Sequence, residues 1–319
     1  MRIHAPLLLL FPLFLALSGC AMVEGQYYLN TKRYDDGRAA FATRLAKEPD
    51  DPGLNYYMAR FELAEDKPEA ALPFIEKAVR LAPGNAEYRF WEGVTWWALM
   101  EPDKERAAYE KALALDSRHL PATLYLGHNM LDRGENAAAL ELYDRVLRLD
   151  PYEPQALFNK AVALERLDRD EEMRAVMLRY LEWYPDGAMA RQGTRMLNRL
   201  GDFTWRNHLL GLRTVTLRSI EFSPNSATLT EDSRASLAVV GSIMSVKQDL
   251  QLHVVAYAKG DPALARQRAL AVRDYVARMH PKVAPERLAP SWFGEAETIT
   301  VDGLSFTKAH SVAIFTKVE

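Results

Sequence analysis

The spacing of four prolines limits most strongly how this chain can fold. The four are Pro49, Pro83, Pro151 and Pro185, and their positions differ by multiples of 34 residues. Ser117 occupies the one position in this series that has no proline. The register is kept without an insertion across five units. A fixed period of this length predicts a stack of similar supersecondary units, each packed against its neighbours.

Two further columns share this 34-residue spacing and indicate what each unit is. The small-residue column is Gly25, Ala59, Gly93, Gly127 and Ala161, and the bulky column is Phe41, Ile75, Tyr109, Tyr143 and Met177. A small residue lets two helices approach closely, and a large one fills the remaining gap. Pro68 and Pro102 stand where a second helix would begin, a position at which proline costs no hydrogen bond. The columns therefore predict helical hairpins.

Three segments carry a family resemblance. They are AALPFIEKAVRLAP, AAYEKALALDS and AALELYDRVLRLDP, and each resembles the second helix of the tetratricopeptide repeat up to its terminal proline. The resemblance implies an α-solenoid of five such repeats over residues 20–200. The segment 188–200 is amphipathic and is predicted to be the closing helix that such arrays need.

The resemblance also implies a partner groove. In this family the first helices line the concave face, and the column most used for contacts maps to Met22, Tyr56, Phe90, Leu124 and Phe158, with Arg60, Val94, Trp97 and His128 beside it. The lysines and asparagines with which some relatives clamp a terminal carboxylate are missing. An apolar or aromatic segment of a protein partner is the expected ligand. Alternatively, the stripe packs within the array or against the second domain. The groove interpretation expects charged residues at Phe90 and Leu124 to leave the stability nearly intact.

The first twenty residues predict export. Residues 1–19 combine Arg2, an apolar run and a small-residue site, which is typical of a secretory signal peptide. Leu17-Ser18-Gly19-Cys20 resembles the bacterial lipobox, so Cys20 is the expected lipidation site and membrane anchor. The alternative is a simple secretory signal with a chance cysteine. Ala21 follows the cysteine, which under the enterobacterial sorting rule places the protein at the outer membrane, facing the periplasm.

Composition and motifs exclude several functional classes. The formal net charge is −3, which gives no reason to expect a nucleic-acid partner. The seven histidines are scattered without metal-ligand spacing, so no metal site is expected. A nucleophile elbow, a phosphate loop and a dinucleotide fingerprint are all missing from the sequence. The chain is therefore not expected to be an enzyme or to bind a cofactor.

A second domain is predicted after the array. Residues 201–214 are expected to be a linker, and from Val215 the sequence alternates as a strand does. Strand and helix patterns then follow in the order β-α-β-α-β to the end of the chain. This order predicts a smaller α+β domain over residues 215–319, with its helices on one face of a sheet.

This second domain resembles the OmpA-like peptidoglycan-associated family. The resemblance rests on Ile220-Glu221-Phe222, on Leu264-Ala265-Arg266-Gln267-Arg268-Ala269 and, in part, on Phe293-Gly294-Glu295. In that family an aspartate and an arginine grip the diaminopimelate of the cell-wall peptide. Arg268 matches the arginine, whereas Lys259 stands at the place of the aspartate.

The binding loop of this domain departs from the family in further ways. It is shorter, and His310 and Ser311 replace late arginines. Asp261 could supply the missing acid, or it could cap the helix predicted from about Pro262 to Met279. The site is expected to keep its fold while its peptidoglycan ligand is weakened or lost.

Two functions remain open. One is a lipid-anchored adaptor whose groove recruits a periplasmic or outer-membrane protein, for instance in a pilus or secretion assembly. The other is a tether between the outer membrane and peptidoglycan, with the repeats as a spacer. The apolar column favours the adaptor, and the OmpA-like fold favours the tether. The departures in the binding loop favour the adaptor over the tether.

Overall fold

The computed structural model describes residues 11–317, with side chains over residues 21–316. The chain divides into two compact units, residues 1–159 and 160–319. The first ten residues of the predicted signal peptide and the side chain of Cys20 lie outside the described residues. None of the helices that are described is both long and apolar enough to cross a bilayer.

Helical hairpins occupy residues 11–183 and a single helix follows them; the 34-residue period predicts the first hairpin from residue 20, whereas the first helix begins earlier, at Phe11. The helices are α1 Phe11–Asn30, α2 Tyr34–Leu45, α3 Pro52–Ala64, α4 Pro68–Leu81, α5 Ala86–Ala98, α6 Pro102–Leu115, α7 Leu120–Asp132, α8 Asn136–Leu149, α9 Pro154–Arg166, α10 Asp170–Trp183 and α11 Gly187–Arg199. Pro68 and Pro102 are the first residues of α4 and α6. Proline follows four of the five hairpins, at Pro49, Pro83, Pro151 and Pro185, where it cannot continue a helix.

Four of the first helices, α3, α5, α7 and α9, each begin at a capping side chain that the proline spacing does not reveal. Asp51, Asn85 and His119 each accept a hydrogen bond from the backbone N–H three residues later, at distances of 2.7, 3.2 and 3.1 Å. Glu153 does the same for Ala156 at 2.6 Å. These four residues are again 34 apart. In four successive units, the equivalent backbone N–H in the first turn, which has no partner within the helix, therefore donates to a side chain of a different residue type.

The small and bulky columns pack as predicted in the middle of the array. A side-chain carbon added to Gly93 would lie 2.3 Å from the ring of Tyr109, and one added to Gly127 would lie 2.9 Å from the ring of Tyr143. Such distances are far below van der Waals contact, so only glycine allows these approaches. At Gly25 the gap is filled by Tyr57 of α3, at 2.3 Å from the added carbon.

After α11 the described strands of the second unit form three small sheets instead of the one sheet expected, and two helices pack on one face of the three-stranded sheet. Its elements after α11 are β1 Trp205–Leu210, β2 Arg213–Arg218, α12 Glu231–Val246, β3 Gln251–Ala258, α13 Pro262–Met279, β4 Leu288–Phe293, β5 Glu297–Val301, β6 Leu304–Lys308 and β7 His310–Lys317. β3 is the central strand, parallel to β4 and antiparallel to β7. Its alternate residues Leu252, Val254 and Ala256 belong to the core that α12 and α13 complete.

Residues 201–214, expected as a linker, contain β1 and its turn into β2. β1 also packs against the closing helix α11. The amide of Asn198 donates to the carbonyl of Trp205 at 2.9 Å, and the amide of Asn207 donates to the carbonyl of Arg191 at 2.9 Å. The closing helix of the array is thus fixed to the first strand by side-chain bonds to backbone carbonyls.

Candidate functional sites

The predicted contact column is mostly core, which corrects the expectation of an open groove. Tyr56 is 6 % exposed, and Phe90, Leu124 and Phe158 are each 5 % exposed. Phe90 packs at 5.8 Å against the ring of Tyr109 and at 5.4 Å against that of Tyr125. Tyr56, Phe90, Leu124 and Phe158 are therefore packed as core residues and do not line an open groove. Met22 alone in this column is largely exposed.

An arginine beside this column is held on an aromatic surface. The guanidinium of Arg60 lies 3.7 Å from the centre of the Trp91 ring, and its Nη1 donates to the Tyr56 hydroxyl at 2.6 Å. Burial raises the pKa of Tyr56, so that phenol stays neutral. Among the described residues, no carboxylate oxygen lies within 4.0 Å of this guanidinium. Arg60 is thus a fixed cation without an acidic partner.

Glu87 connects three first helices through one carboxylate. Its Oε1 accepts from the Tyr56 hydroxyl at 3.1 Å and from the Trp91 indole N–H at 2.8 Å, while its Oε2 lies 3.1 Å from Nε2 of His119. Nδ1 of His119 accepts the capping bond from Ala122, so the proton of a neutral ring sits on Nε2 and points at Glu87. The bond from His119 is the main reason why the pKa of Glu87 is lowered. We call Tyr56, Arg60, Glu87, Trp91 and His119 the arginine–aromatic cluster.

The remaining predicted groove residues differ in how accessible they are. Val94 is partly buried, whereas Trp97 is 57 % exposed. His128 lies between the rings of Tyr125 and Tyr143, and burial lowers its pKa to about 4. His128 is therefore a neutral, packed ring at neutral pH. Arg60 and Trp97 are the members of the predicted set that remain available for contacts.

A second candidate site is a cavity of about 260 Å³ in the C-terminal unit. Arg268 lines it from α13 although its residue surface is only 7 % exposed. Its Nε donates to the Ser226 carbonyl at 3.0 Å, and its guanidinium lies 5.0 Å from the Phe222 ring. Burial lowers the pKa of Arg268, and the charge of Asp261 opposes this shift. Because it is charged and buried, this guanidinium favours an anionic ligand.

The charges around this cavity are mostly positive. Arg206 is paired with Glu297 through two bonds of 3.0 and 2.8 Å, so those two charges cancel. Lys308 and His310 also line the cavity, and Glu221 is the one acid among its described lining residues. The hydroxyl of Ser311 is buried there without a hydrogen-bond partner. The arrangement suits a carboxylate better than an amine.

Asp261 caps α13, as one of the two interpretations predicted. Its Oδ1 accepts from the backbone N–H of Leu264 at 2.8 Å, and α13 begins at Pro262 and ends at Met279, the predicted bounds. Lys259 is exposed, and its backbone N–H donates to the Ala309 carbonyl. Neither side chain is part of the cavity lining. No cluster of metal-ligating side chains occurs among the residues that the structure describes.

Comparison with known families agrees with this geometry. A tetratricopeptide-repeat model matches residues 22–86, 67–119 and 126–188, which together make up about half of the chain. The chain belongs to the tetratricopeptide-repeat family. An OmpA family model matches residues 221–306. This tetratricopeptide-repeat protein therefore carries an OmpA domain, and Arg268 lies within the matched region.

Solved structures show the same helical fold. PilF of Pseudomonas aeruginosa is 17 % identical with a TM-score of 0.53, and the match covers 58 % of this chain and 85 % of PilF. PilW, described as a type IV pilus biogenesis factor, is 18 % identical with a TM-score of 0.52, covering 58 % of this chain and 88 % of PilW. A sequence search of curated proteins gives no significant match. At these identities the similarity concerns the fold.

Sequence reasoning missed Glu87, Trp91 and His119 as members of a site. Trp91 belongs to no column that the sequence singles out, yet the Arg60 guanidinium lies 3.7 Å from the centre of its ring. One signal was available: Glu87 precedes Trp91 by four residues, so both lie on one face of α5. The link to His119 joins residues 32 apart, and no local pattern predicts it.

Proposed function

We propose that this protein is a lipid-anchored adaptor of the bacterial cell envelope. In this proposal the first helices of its tetratricopeptide array recruit a protein partner, and no chemical reaction is catalysed. The single observation that carries the proposal is that two neighbouring first helices present a fixed Arg60, without a carboxylate partner among the described residues, and an exposed Trp97. Aromatic and arginine side chains are the residues that most often dominate protein interfaces.

The envelope location is supported by independent features. Leu17-Ser18-Gly19-Cys20 is a lipobox-like sequence, and the OmpA domain is consistent with association with peptidoglycan. The fold resembles that of PilW, a pilus biogenesis factor. A periplasmic or outer-membrane protein within an assembly of this kind is the proposed partner. The outer membrane is the proposed site of the anchor.

Site-specific photo-crosslinking in intact envelopes tests the adaptor function. A benzoylphenylalanine in place of Trp97 should capture a defined protein, because this position is exposed on α5, the helix that also carries Glu87 and Trp91 of the arginine–aromatic cluster. The matched control places the crosslinker at Leu115, an exposed apolar residue at the end of the second helix α6. Equal capture from both positions, or from neither, would argue against recruitment through the first helices.

A tether to the cell wall is the second candidate function. The observation that favours it is Arg268, a buried guanidinium that lines a cavity and has no paired carboxylate within 4.0 Å among the described residues. In the OmpA family this arginine binds peptidoglycan together with an aspartate. Lys259 stands at the place of that aspartate, and Glu221 is the one acid among the described residues that line the cavity. We therefore expect only weak binding of peptidoglycan.

Co-sedimentation of the full-length protein with purified sacculi tests the tether. We expect little protein in the pellet, and Lys259→Asp should increase it if the added acid reaches the ligand's amine. Asp261→Asn is the control that keeps the helix cap, since asparagine caps about as well as aspartate. Strong sedimentation that is lost in both Arg268→Ala and Asp261→Asn would instead support the tether and assign Asp261 as its acid.

A further inference from the structure

We infer that the arginine–aromatic cluster binds a carboxylate group of the partner, next to an apolar or aromatic side chain of the same segment. This inference rests on the proposed adaptor function and specifies the chemistry of the partner. It begins from the position of Arg60. The guanidinium lies over the Trp91 ring and donates to the Tyr56 hydroxyl, so little side-chain freedom remains to be lost when a ligand binds.

The hydrogen-bonding capacity of Arg60 is largely unused. A guanidinium has five N–H donors, and the protein uses one of them for the Tyr56 hydroxyl. The guanidinium lies over the Trp91 ring, and Tyr56 is its one hydrogen-bond partner among the described residues, so the other N–H donors remain for an external acceptor. Two parallel N–H groups on one edge match the two oxygens of a carboxylate. A carboxylate is thus the group that this arrangement recognises best.

Glu87 does not take this role, although it belongs to the same cluster. Its two oxygens already accept from Tyr56, Trp91 and His119, and its pKa is lowered by these bonds. The Tyr56 hydroxyl stands between the two charges, since it accepts from Arg60 and donates to Glu87. The carboxylate of Glu87 therefore fixes the aromatic platform and leaves Arg60 for an external acid.

Helix α5 indicates which side chain should stand next to the carboxylate in the ligand. Trp91, Val94 and Trp97 are spaced by three residues, so they lie along one side of this helix. The Arg60 guanidinium lies over the Trp91 ring, and more than half of the surface of Trp97 is exposed. A segment whose carboxylate meets Arg60 would place a neighbouring side chain along this row. An apolar or aromatic residue next to the acid would remove the exposed indole surface from water.

Two sources can supply the carboxylate: an aspartate or glutamate side chain, or the C-terminus of the partner. A library of random decapeptides, synthesised once with a free C-terminus and once as the amide, distinguishes them. The full-length protein should retain peptides enriched in an acid beside an aromatic or apolar residue. Enrichment in both libraries identifies a side chain, whereas enrichment restricted to the free-acid library identifies the C-terminus.

The affinities of variant proteins for the selected peptides test whether Arg60 makes the contact. Arg60→Met should weaken this binding by about 10-fold to 100-fold, as expected for the loss of one charge-assisted bond, and the remaining affinity should no longer depend on salt. Arg60→Lys keeps the charge without the planar donors and should give an intermediate loss. The matched control is Arg89→Met on α5, which removes an arginine whose guanidinium is already paired with Glu92 at 3.0 Å. Melting curves of all three variants establish that they are folded.

The outcomes separate this inference from the adaptor function. Retention of amidated peptides that contain no acidic side chain, no retained peptides, or equal binding by wild type and Arg60→Met would each overturn the inference. If the crosslinker at position 97 still captures a partner when Arg60 is replaced by methionine, the adaptor function stands and the carboxylate contact is wrong. Loss of capture in Arg60→Met, with capture retained in Arg89→Met, is the expected result.

Discussion

At the scale of single residues, Glu105 is an acid in the core of the array. It is 5 % exposed, and Oε2 accepts from the amide of Asn129 at 2.8 Å. Burial raises its pKa above the usual 4.5, while the Asn129 bond opposes the shift. A raised pKa in the folded state means that folding favours the protonated carboxyl. The associated stability is present at low pH and is lost as the pH rises through the raised value.

Glu105→Gln tests this pH dependence. Glutamine can still accept from Asn129 but carries no charge, so the variant should melt at a higher temperature than wild type at about pH 8. The difference should shrink towards zero at about pH 4, where Glu105 is protonated. Glu141→Gln on the exposed face of α8 is the control and should show no such dependence. A variant less stable than wild type at high pH would contradict the assignment.

Phe90 and Trp97 differ in burial although both were predicted to line the groove. Because Phe90 is buried, Phe90→Ala should cost about 3 kcal/mol of the free energy of unfolding. Trp97→Ala should change it by less than about 0.5 kcal/mol, as expected for an exposed side chain. Denaturant titration of both variants provides the measurement. A small loss at Phe90 would restore the original groove interpretation.

At the scale of elements, the loop inside each hairpin repeats a left-handed residue. Positive φ angles occur at Lys32, Asp66, Met100, Gly134 and Asp168, which are 34 residues apart. At each, the following residue donates its N–H to a carbonyl five residues back, for example Glu135 to Met130 at 2.9 Å. This is the Schellman helix end, which favours glycine. Gly134 is the one glycine in the column.

Exchanging residues in this column should change stability in opposite directions. Gly134→Ala should lower the free energy of unfolding by about 1 kcal/mol, and Met100→Gly should raise it by up to about 1 kcal/mol. A side-chain carbon added at Gly134 meets no atom within 4 Å, so the effect comes from the backbone alone. Gly84→Ala is the control, because Gly84 is equally open but has no positive φ. Equal effects at both glycines would exclude the backbone explanation.

At the scale of the whole molecule, the proposed anchor places both units in the envelope. Cys20→Ser should abolish incorporation of radiolabelled palmitate and release the protein from the membrane fraction. Ala21→Asp should keep the label and, under the enterobacterial sorting rule, move the protein to the inner membrane. Membrane retention of an unlabelled Cys20→Ser protein would show that acylation is not the anchor.

The sequence by itself determined the α-solenoid, the α+β domain after it, and several element bounds. The bounds of α4, α6 and α13 followed from Pro68, Pro102 and Pro262. These features are predictable because proline and capping residues act on the backbone within one helical turn. The 34-residue period adds long-range information, since every unit repeats the same local signals.

Only the tertiary structure decided which side of the first helices stays open. Tyr56, Phe90 and Leu124 share a column with the exposed Met22, yet the neighbouring hairpins bury them. Burial depends on how far each hairpin rotates against the next, and many weak contacts set that rotation together. For the same reason the contact of Arg60 with Trp91, and that of Glu87 with His119, join residues about one repeat apart and have no local signature.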